Sequence, residues 1–365
     1  MRIDVHQHLL SQPLLAALER RGAVPSLTRG HAGWTYHLAG EPDSALPFAD
    51  ADPRTRVAQL DDDGVDRALV ALSSALGIEH LPAEQAQPLL DAYHDGAAAL
   101  PRDRFGAWAA VGVHEPDPAT VDALLARGFA GVSLPATALA TPAAVERLGP
   151  LLERLQQPAP PLLAHPGPVA PGAGAERAGG DARMPDPAAG AGRTGASRPN
   201  GGSRTTRTSR TGRASAAAGP TAAPALPGWW PALTGYVAQM NAAWHAFLVA
   251  GRPALPRLRV LYAMLAGLAP LQLERLAARG GPAAQAAHDP LTFYDTSSYG
   301  PRAIEATIHA VGAAQLVHGS DRPVVGAAVP AADTALGHAL LRVNPARLLN
   351  PTTPEALVPS AAAPA

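Results

Sequence analysis

Eight short apolar runs, each followed by a stretch with helical spacing, constrain the fold of this chain more than any other feature. They are Ile3-Asp-Val-His-Gln-His8, Arg67-Ala-Leu-Val-Ala-Leu72, residues 105–111, Ala130-Gly-Val-Ser-Leu134, Pro161-Leu-Leu-Ala-His165, Arg259-Val-Leu-Tyr-Ala-Met264, Thr292-Phe-Tyr-Asp-Thr296 and Gln315-Leu-Val-His318. Most run on Val, Leu and Ala without clean alternation, as strands covered on both faces do, so a parallel sheet is expected. Helices are expected over residues 54–63, 84–100, 118–127, 142–157, 229–249, 270–279, 302–312 and 331–349, with Gly64 and Gly128 marking two of the ends. Eight such alternations are the count of a closed (β/α)8 TIM barrel, an α/β fold whose sites lie on loops at the C-terminal ends of the strands. Residues 11–53, rich in turn formers, read as a long excursion from the first strand.

The alternation is interrupted once. Residues 170–227 are Gly, Ala, Pro, Ser, Thr and Arg with almost no large apolar side chain, too little to offset the entropy of ordering them. This predicts a disordered insertion after strand five, between barrel parts at residues 1–169 and 228–350, with a frayed Pro- and Ala-rich tail at 351–365. The arginines of the insertion suit either an RNA or acidic-partner tether or a tolerated low-complexity loop, and the composition favours the loop. The helix expected beyond it carries Trp229, Trp230, Tyr236, Met240, Trp244 and Phe247. Gln239, Asn241 and His245 make it a packed helix rather than a membrane one.

At 365 residues and 47% hydrophobic, the chain can bury a core of barrel size. A net charge of −1 argues against nucleic acid or an anionic membrane as partner, and no run of about 18 apolar residues occurs, so a cytoplasmic protein acting on a small molecule is expected. The absence of cysteine excludes disulfides, thiolate ligands and a Cys nucleophile. Every cationic side chain is arginine, which excludes Schiff-base lysines and lysine-derived carbamate bridges between metals.

His6 and His8 share a face at the end of the first run, because side chains at i and i+2 of a strand point the same way. His165 closes the fifth run and Asp321 follows the eighth. Three imidazoles and a carboxylate, each just past a strand, suit one divalent first-row cation, with zinc expected.

Six segments in this order resemble the amidohydrolase superfamily, in its amidohydrolase-related branch that includes aminocarboxymuconate-semialdehyde decarboxylase and resorcylate-type decarboxylases. They are Asp4-Val-His6-Gln-His8, Leu60-Asp-Asp-Asp-Gly64-Val-Asp-Arg-Ala68, Gly128-Phe-Ala-Gly-Val132, Ala164-His165-Pro-Gly167, Asp295-Thr-Ser-Ser298 and Gly319-Ser-Asp321-Arg-Pro323. The resemblance covers most of the chain outside the insertion. It implies a metal held by His6, His8, His165 and Asp321, and a homodimer. The lack of lysine agrees with a one-metal site. The family ends strand six with a histidine that moves protons, where this chain has Met264, whose thioether cannot. Asp321 is therefore expected to be both ligand and catalytic base.

Substrate contacts are expected from Trp34, Tyr36 and His37 in the first excursion, His80 in the second loop, Met264, Ser297, Ser298, Tyr299 and Arg302 beyond strand seven, and Arg322 beside Asp321. His318 is expected in the core. These residues support a metal-dependent hydrolase of a small amide, lactone or ester first, because protonating carbon needs a placed acid. A non-oxidative decarboxylase of a small aromatic acid comes second, and a barrel that binds metal or metabolite without turnover third.

Overall fold

The computed structural model describes residues 1–114, 116–156, 160–169, 227–326 and 329–350. Its parallel strands are β1 (Ile3–His8), β2 (Arg67–Ala71), β3 (Phe105–Ala107 and, past Trp108, Ala109–Ala110), β4 (Val132–Pro135), β5 (Leu162–His165), β6 (Val260–Tyr262), β7 (Thr292–Asp295) and β8 (Leu316–Val317). Each lies within its expected apolar run or a residue beyond it. The strands pair in chain order as two parallel sheets that meet at β3: its first piece pairs with β2 and its second with β4. Trp108, at this junction, is fully buried and its indole N–H donates to the Val5 carbonyl at 2.9 Å. β1 is also bonded to the segment that leaves β8. Val5 N–H donates to His318 O at 2.9 Å, Asp321 N–H to His6 O at 2.9 Å and His8 N–H to Arg322 O at 2.7 Å.

Three helices begin where a capping side chain and a proline stand together. Asp52 accepts the N–H groups of Arg54 and Thr55 ahead of Pro53–Asp62, Asp117 accepts from Ala119 ahead of Pro118–Ala126, and Thr141 accepts from Ala144 ahead of Pro142–Arg147. The proline costs nothing there, since its missing N–H would have no intrahelical partner, and each cap contributes about 1 kcal/mol. The helix expected over 142–157 is two short ones, Pro142–Arg147 and Gly149–Arg154, because Pro150 cannot continue the first.

Two expectations need correction. Residues 11–53 are not merely turns: they form a helix, Gln12–Glu19, and an antiparallel sheet of Ser26–Arg29, Gly33–His37 and Ser44–Pro47. Leu27, Trp34 and Leu46 of this sheet join Leu14, Leu15 and Leu18 in a second core beside the main one. Such short strands carry too little periodicity to stand out in a sequence. The second correction lies after β6: the run expected to reach Met264 ends as a strand at Tyr262, and Met264 to Leu268 all have positive φ, from 44° to 64°. A left-handed turn of L-residues costs roughly 1–2 kcal/mol per residue. It is held by Asn241, whose amide donates to Gly267 O at 2.7 Å, and by Met264 N–H, which donates to Asp295 Oδ1 at 2.9 Å.

The expected insertion, except Pro227, and the tail at 351–365 lie outside the described residues. Beyond them the chain is helical from Ala232 to Ala254 in alternating π and α turns, with Met240, Trp244 and Phe247 buried and Trp229 55% exposed. Among the described residues no helix is long and apolar enough to cross a membrane.

Candidate metal centre

β1 delivers His6 and His8, β5 delivers His165, and the turn after β8 delivers Asp321; one donor atom from each lies within 4.8 Å of all the others. His8 Nε2 is 3.2 Å from both His6 Nε2 and His165 Nε2, and 3.0 Å from Asp321 Oδ1. The three rings stand nearly perpendicular to one another, with centroids 4.9 to 5.0 Å apart. The histidines are buried, and the Asp321 side chain keeps 13% of its surface exposed, so the carboxylate is the member of the set open to a ligand.

The opposite edge of each ring decides what this centre can hold. His8 Nδ1 lies 2.9 Å from Ala71 O and His165 Nδ1 2.9 Å from Pro166 O; carbonyls only accept, so both Nδ1 atoms carry protons. His6 Nδ1 faces Asp295 Oδ2 at 2.8 Å. In the neutral rings all three Nε2 atoms then present lone pairs to one another and to a carboxylate oxygen at contact distance. That arrangement is repulsive without a cation, and it is the way metal-binding histidines are oriented. The donor set therefore fits a divalent ion.

Burial opposes charge on His6, but Asp295, by charge and by hydrogen bond, together with Asp321 and Asp4, raises its pKa to about 9, so without an ion a proton on His6 Nε2 supplies part of the positive charge that the other donors call for. His165 has no such partner; burial and the neighbouring His8 and His6 push it well below its ordinary value. Burial likewise works to raise Asp295, but His6 and hydrogen bonds from His6 and Ser297 outweigh it and keep the carboxyl below the usual range. Asp321 has a positive φ of 57°, a conformation tolerated by aspartate more readily than by most residues.

A buried polar frame holds the end of β1. Asp4 accepts from His6 N–H and Ser320 N–H at 3.1 Å each and from Gln7 Nε2 at 2.8 Å. Arg56, fully buried, donates to His8 O at 2.7 Å and to the Gln7 side chain, and burial lowers its pKa to about 10.

The remaining expected contacts divide. Ser297 sits beside the centre, its hydroxyl donating to Asp295 Oδ1 at 2.5 Å, and Met264 N–H reaches the same oxygen, so both support Asp295. His80 Nε2 is 2.7 Å from Thr137 Oγ1, and Thr137 packs on Gly167, two residues past His165. Trp34 is buried in the excursion's own core, stacked edge-on against Phe48 with its indole N–H on Glu19; Tyr36 packs on the same core. His37 is held by Asp43 at 3.0 Å and Thr28 at 2.8 Å. Tyr299 packs against the main core, and Ser298 and Arg302 are exposed. Arg322 pairs with Asp63 at 3.0 Å and not with Asp321, because its guanidinium turns towards the end of the Pro53–Asp62 helix. His318 is fully buried.

Residue reasoning left Asp295, Asp4, Arg56, Glu41 and Tyr236 without a role. Asp295 carried a usable signal, an acid closing an apolar strand run just as His165 does. Arg56, Glu41 and Tyr236 have none, since their partners are remote in sequence.

No family model matches the chain, and no curated protein does. Solved structures do. It is similar to the IDCase of Metarhizium anisopliae (TM-score 0.64, 16% identity, covering 96% of this chain and 97% of that one). It is similar to the 5-carboxyvanillate decarboxylase of Novosphingobium aromaticivorans complexed with manganese and 4-hydroxy-3-methoxy-5-nitrobenzoic acid (TM-score 0.63, 15% identity, 96% of each chain). It is also similar to the 2,6-dihydroxybenzoate decarboxylase of Rhizobium (TM-score 0.57, 15% identity, 95% of this chain and 98% of that one). Over nearly its whole length, then, the chain has the fold of these decarboxylases.

Proposed function

We propose that this protein is a metal-dependent, non-oxidative decarboxylase of hydroxylated aromatic acids, a member of the amidohydrolase-related branch on a closed (β/α)8 barrel. The observation that carries it is the convergence of three Nε2 lone pairs and the Asp321 carboxylate on one point. Strand pairing in chain order and the bonds from β1 to the turn after β8 support closure of the barrel, with residues 1–169 and 228–350 as its two parts. The similar folds of decarboxylases reverse the order expected from the sequence, which put hydrolysis first.

The nitrogen-rich set with one carboxylate suits zinc, and manganese accompanies a related fold. When bound, the ion would supply positive charge to hold a substrate carboxylate and its neighbouring oxygen. Asp321, the open member of the set, takes a proton from the substrate hydroxyl or from solvent and delivers it to the ring carbon. The O–H bond breaks, a C–H bond forms, the bond to the carboxylate breaks, and CO2 leaves. Met264 has no part in the transfer, and its N–H is shared between Asp295 Oδ1 at 2.9 Å and Ser297 Oγ at 3.1 Å.

The test is CO2 release from a panel of hydroxybenzoates by the metal-loaded protein, run beside amide and lactone substrates. CO2 from at least one hydroxybenzoate is expected, and Asp321→Asn should lower it by at least about a hundredfold, the usual scale for a lost acid–base group. Hydrolysis without CO2 release would restore the hydrolase.

A further inference from the structure

Two residues that no chemistry above has used meet beside the centre. Tyr236 lies at the start of the helix Val237–Ala246, and this end of the helix is seated on the loop that follows His165. A Cβ on Gly235 would lie 3.3 Å from Val169, while Gln239 accepts from Gly167 N–H at 2.8 Å and donates to Pro168 O at 3.0 Å. The Tyr236 hydroxyl donates to the carboxylate of Glu41, which is 195 positions away between the second and third strands of the excursion. Both groups are partly buried, and the Asp321 carboxylate is near enough to Tyr236 to help disfavour its phenolate, after burial and Glu41. The phenol is thus tied to Glu41 at the end of a helix that is itself seated on the loop leaving His165.

A phenol has one proton to donate, and an ionised carboxylate can only accept. With its O–H committed to Glu41, Tyr236 has only oxygen lone pairs left for a ligand at the centre. A partly buried acceptor discriminates strongly, because a ligand without a donor leaves it unpaired.

We propose that Tyr236, oriented by Glu41, is a specificity determinant that reads a second hydroxyl on the aromatic acid bound at the centre and rejects the corresponding methyl ether. Glu41 is the positioning residue, since it fixes which way the phenol proton points. This rests on the aromatic-acid function proposed above.

The experiment is calorimetric binding of a set of dihydroxybenzoates to the metal-loaded protein in mildly alkaline solution, chosen because burial raises the Glu41 carboxyl above its ordinary range. Each compound is paired with the ether in which its second hydroxyl is methylated, and metal content is matched between variants. The wild type should bind at least one hydroxyl compound about tenfold or more tightly than its ether, a modest share of what a buried polar site can discriminate. Tyr236→Phe should bring that pair within about twofold by weakening only the hydroxyl compound. Glu41→Leu frees the phenol proton to turn inward, so the ether should gain affinity. Preference retained in Tyr236→Phe, or no preference for any pair in the wild type, would overturn the proposal. CO2 release measured on the same samples separates the two ideas. Decarboxylation without hydroxyl preference sinks the specificity role alone. Preference that depends on Tyr236, with no CO2 from any compound, sinks the decarboxylase and leaves the specificity role standing, and failure of every aromatic acid to bind sinks both.

Discussion

Asp295 shows what a single side chain contributes at this centre without binding the ion. One oxygen fixes His6 at 2.8 Å; the other accepts from Ser297 and Met264. Asp295→Asn should still fold, and should lower metal affinity by about 10–100-fold, the usual cost of losing a carboxylate behind a ligand histidine. Metal content after dialysis checks this, and undiminished retention would show that His6 needs no such partner. A different carboxyl gives a pH signature. Glu79 is fully buried and accepts from the Ser74 hydroxyl at 2.5 Å, and burial outweighs that bond and one from its own backbone to raise its pKa from 4.5 to about 7. Below the lower value both folded and unfolded states hold the proton, and there is no penalty. Between the two values the unfolded chain ionises first, so stability falls as pH rises, by about 3 kcal/mol in all, and stays low above the upper value. Glu79→Gln should therefore gain on the wild type between about pH 5 and about pH 8 in denaturant titrations. A pH-independent difference would mean that the carboxyl is not held neutral.

At the scale of the elements, close approach of β8 to its neighbours is what gathers the ligands. Gly319, just past β8, is the point of contact: a Cβ there would lie 2.9 Å from Cβ of His6 and from Cβ and Cγ of Asp295. Gly319→Ala should push those two side chains apart and reduce bound metal several-fold, though the substitution touches no donor atom. Circular dichroism should show the secondary structure intact. Full metal occupancy in this variant would mean that the strand ends can spread without loss. The left-handed turn after β6 belongs to the same scale: Asn241 and Asp295 tie down a conformation that its own residues disfavour, and they place Met264 N–H on the centre's supporting carboxylate.

For the whole molecule, the main core runs through the strands and their helices, and a second core lies under the excursion. Residues 171–225 contain almost no large apolar side chain. Replacing them by a short Gly/Ser linker should leave the melting temperature and CO2 release nearly unchanged, since loop closure changes by only about 0.6 kcal/mol per doubling of length. Failure of the shortened chain to fold would show that the segment contributes to the core.

The positions of the eight strands were legible in the sequence because burial on both faces writes itself locally, as runs of Val, Leu and Ala. The set of candidate metal donors was legible for a similar reason, each lying near or just past the end of one such run. The short antiparallel strands of the excursion were not, since four or five residues hold too little periodicity. Tertiary structure alone decided the pairing of His6 with Asp295 across 289 positions, of Tyr236 with Glu41 across 195, and of Arg322 with Asp63 rather than Asp321. Contacts at such separations leave no periodic trace in a chain, because they exist only once the strands have closed side by side and brought their loops to one end.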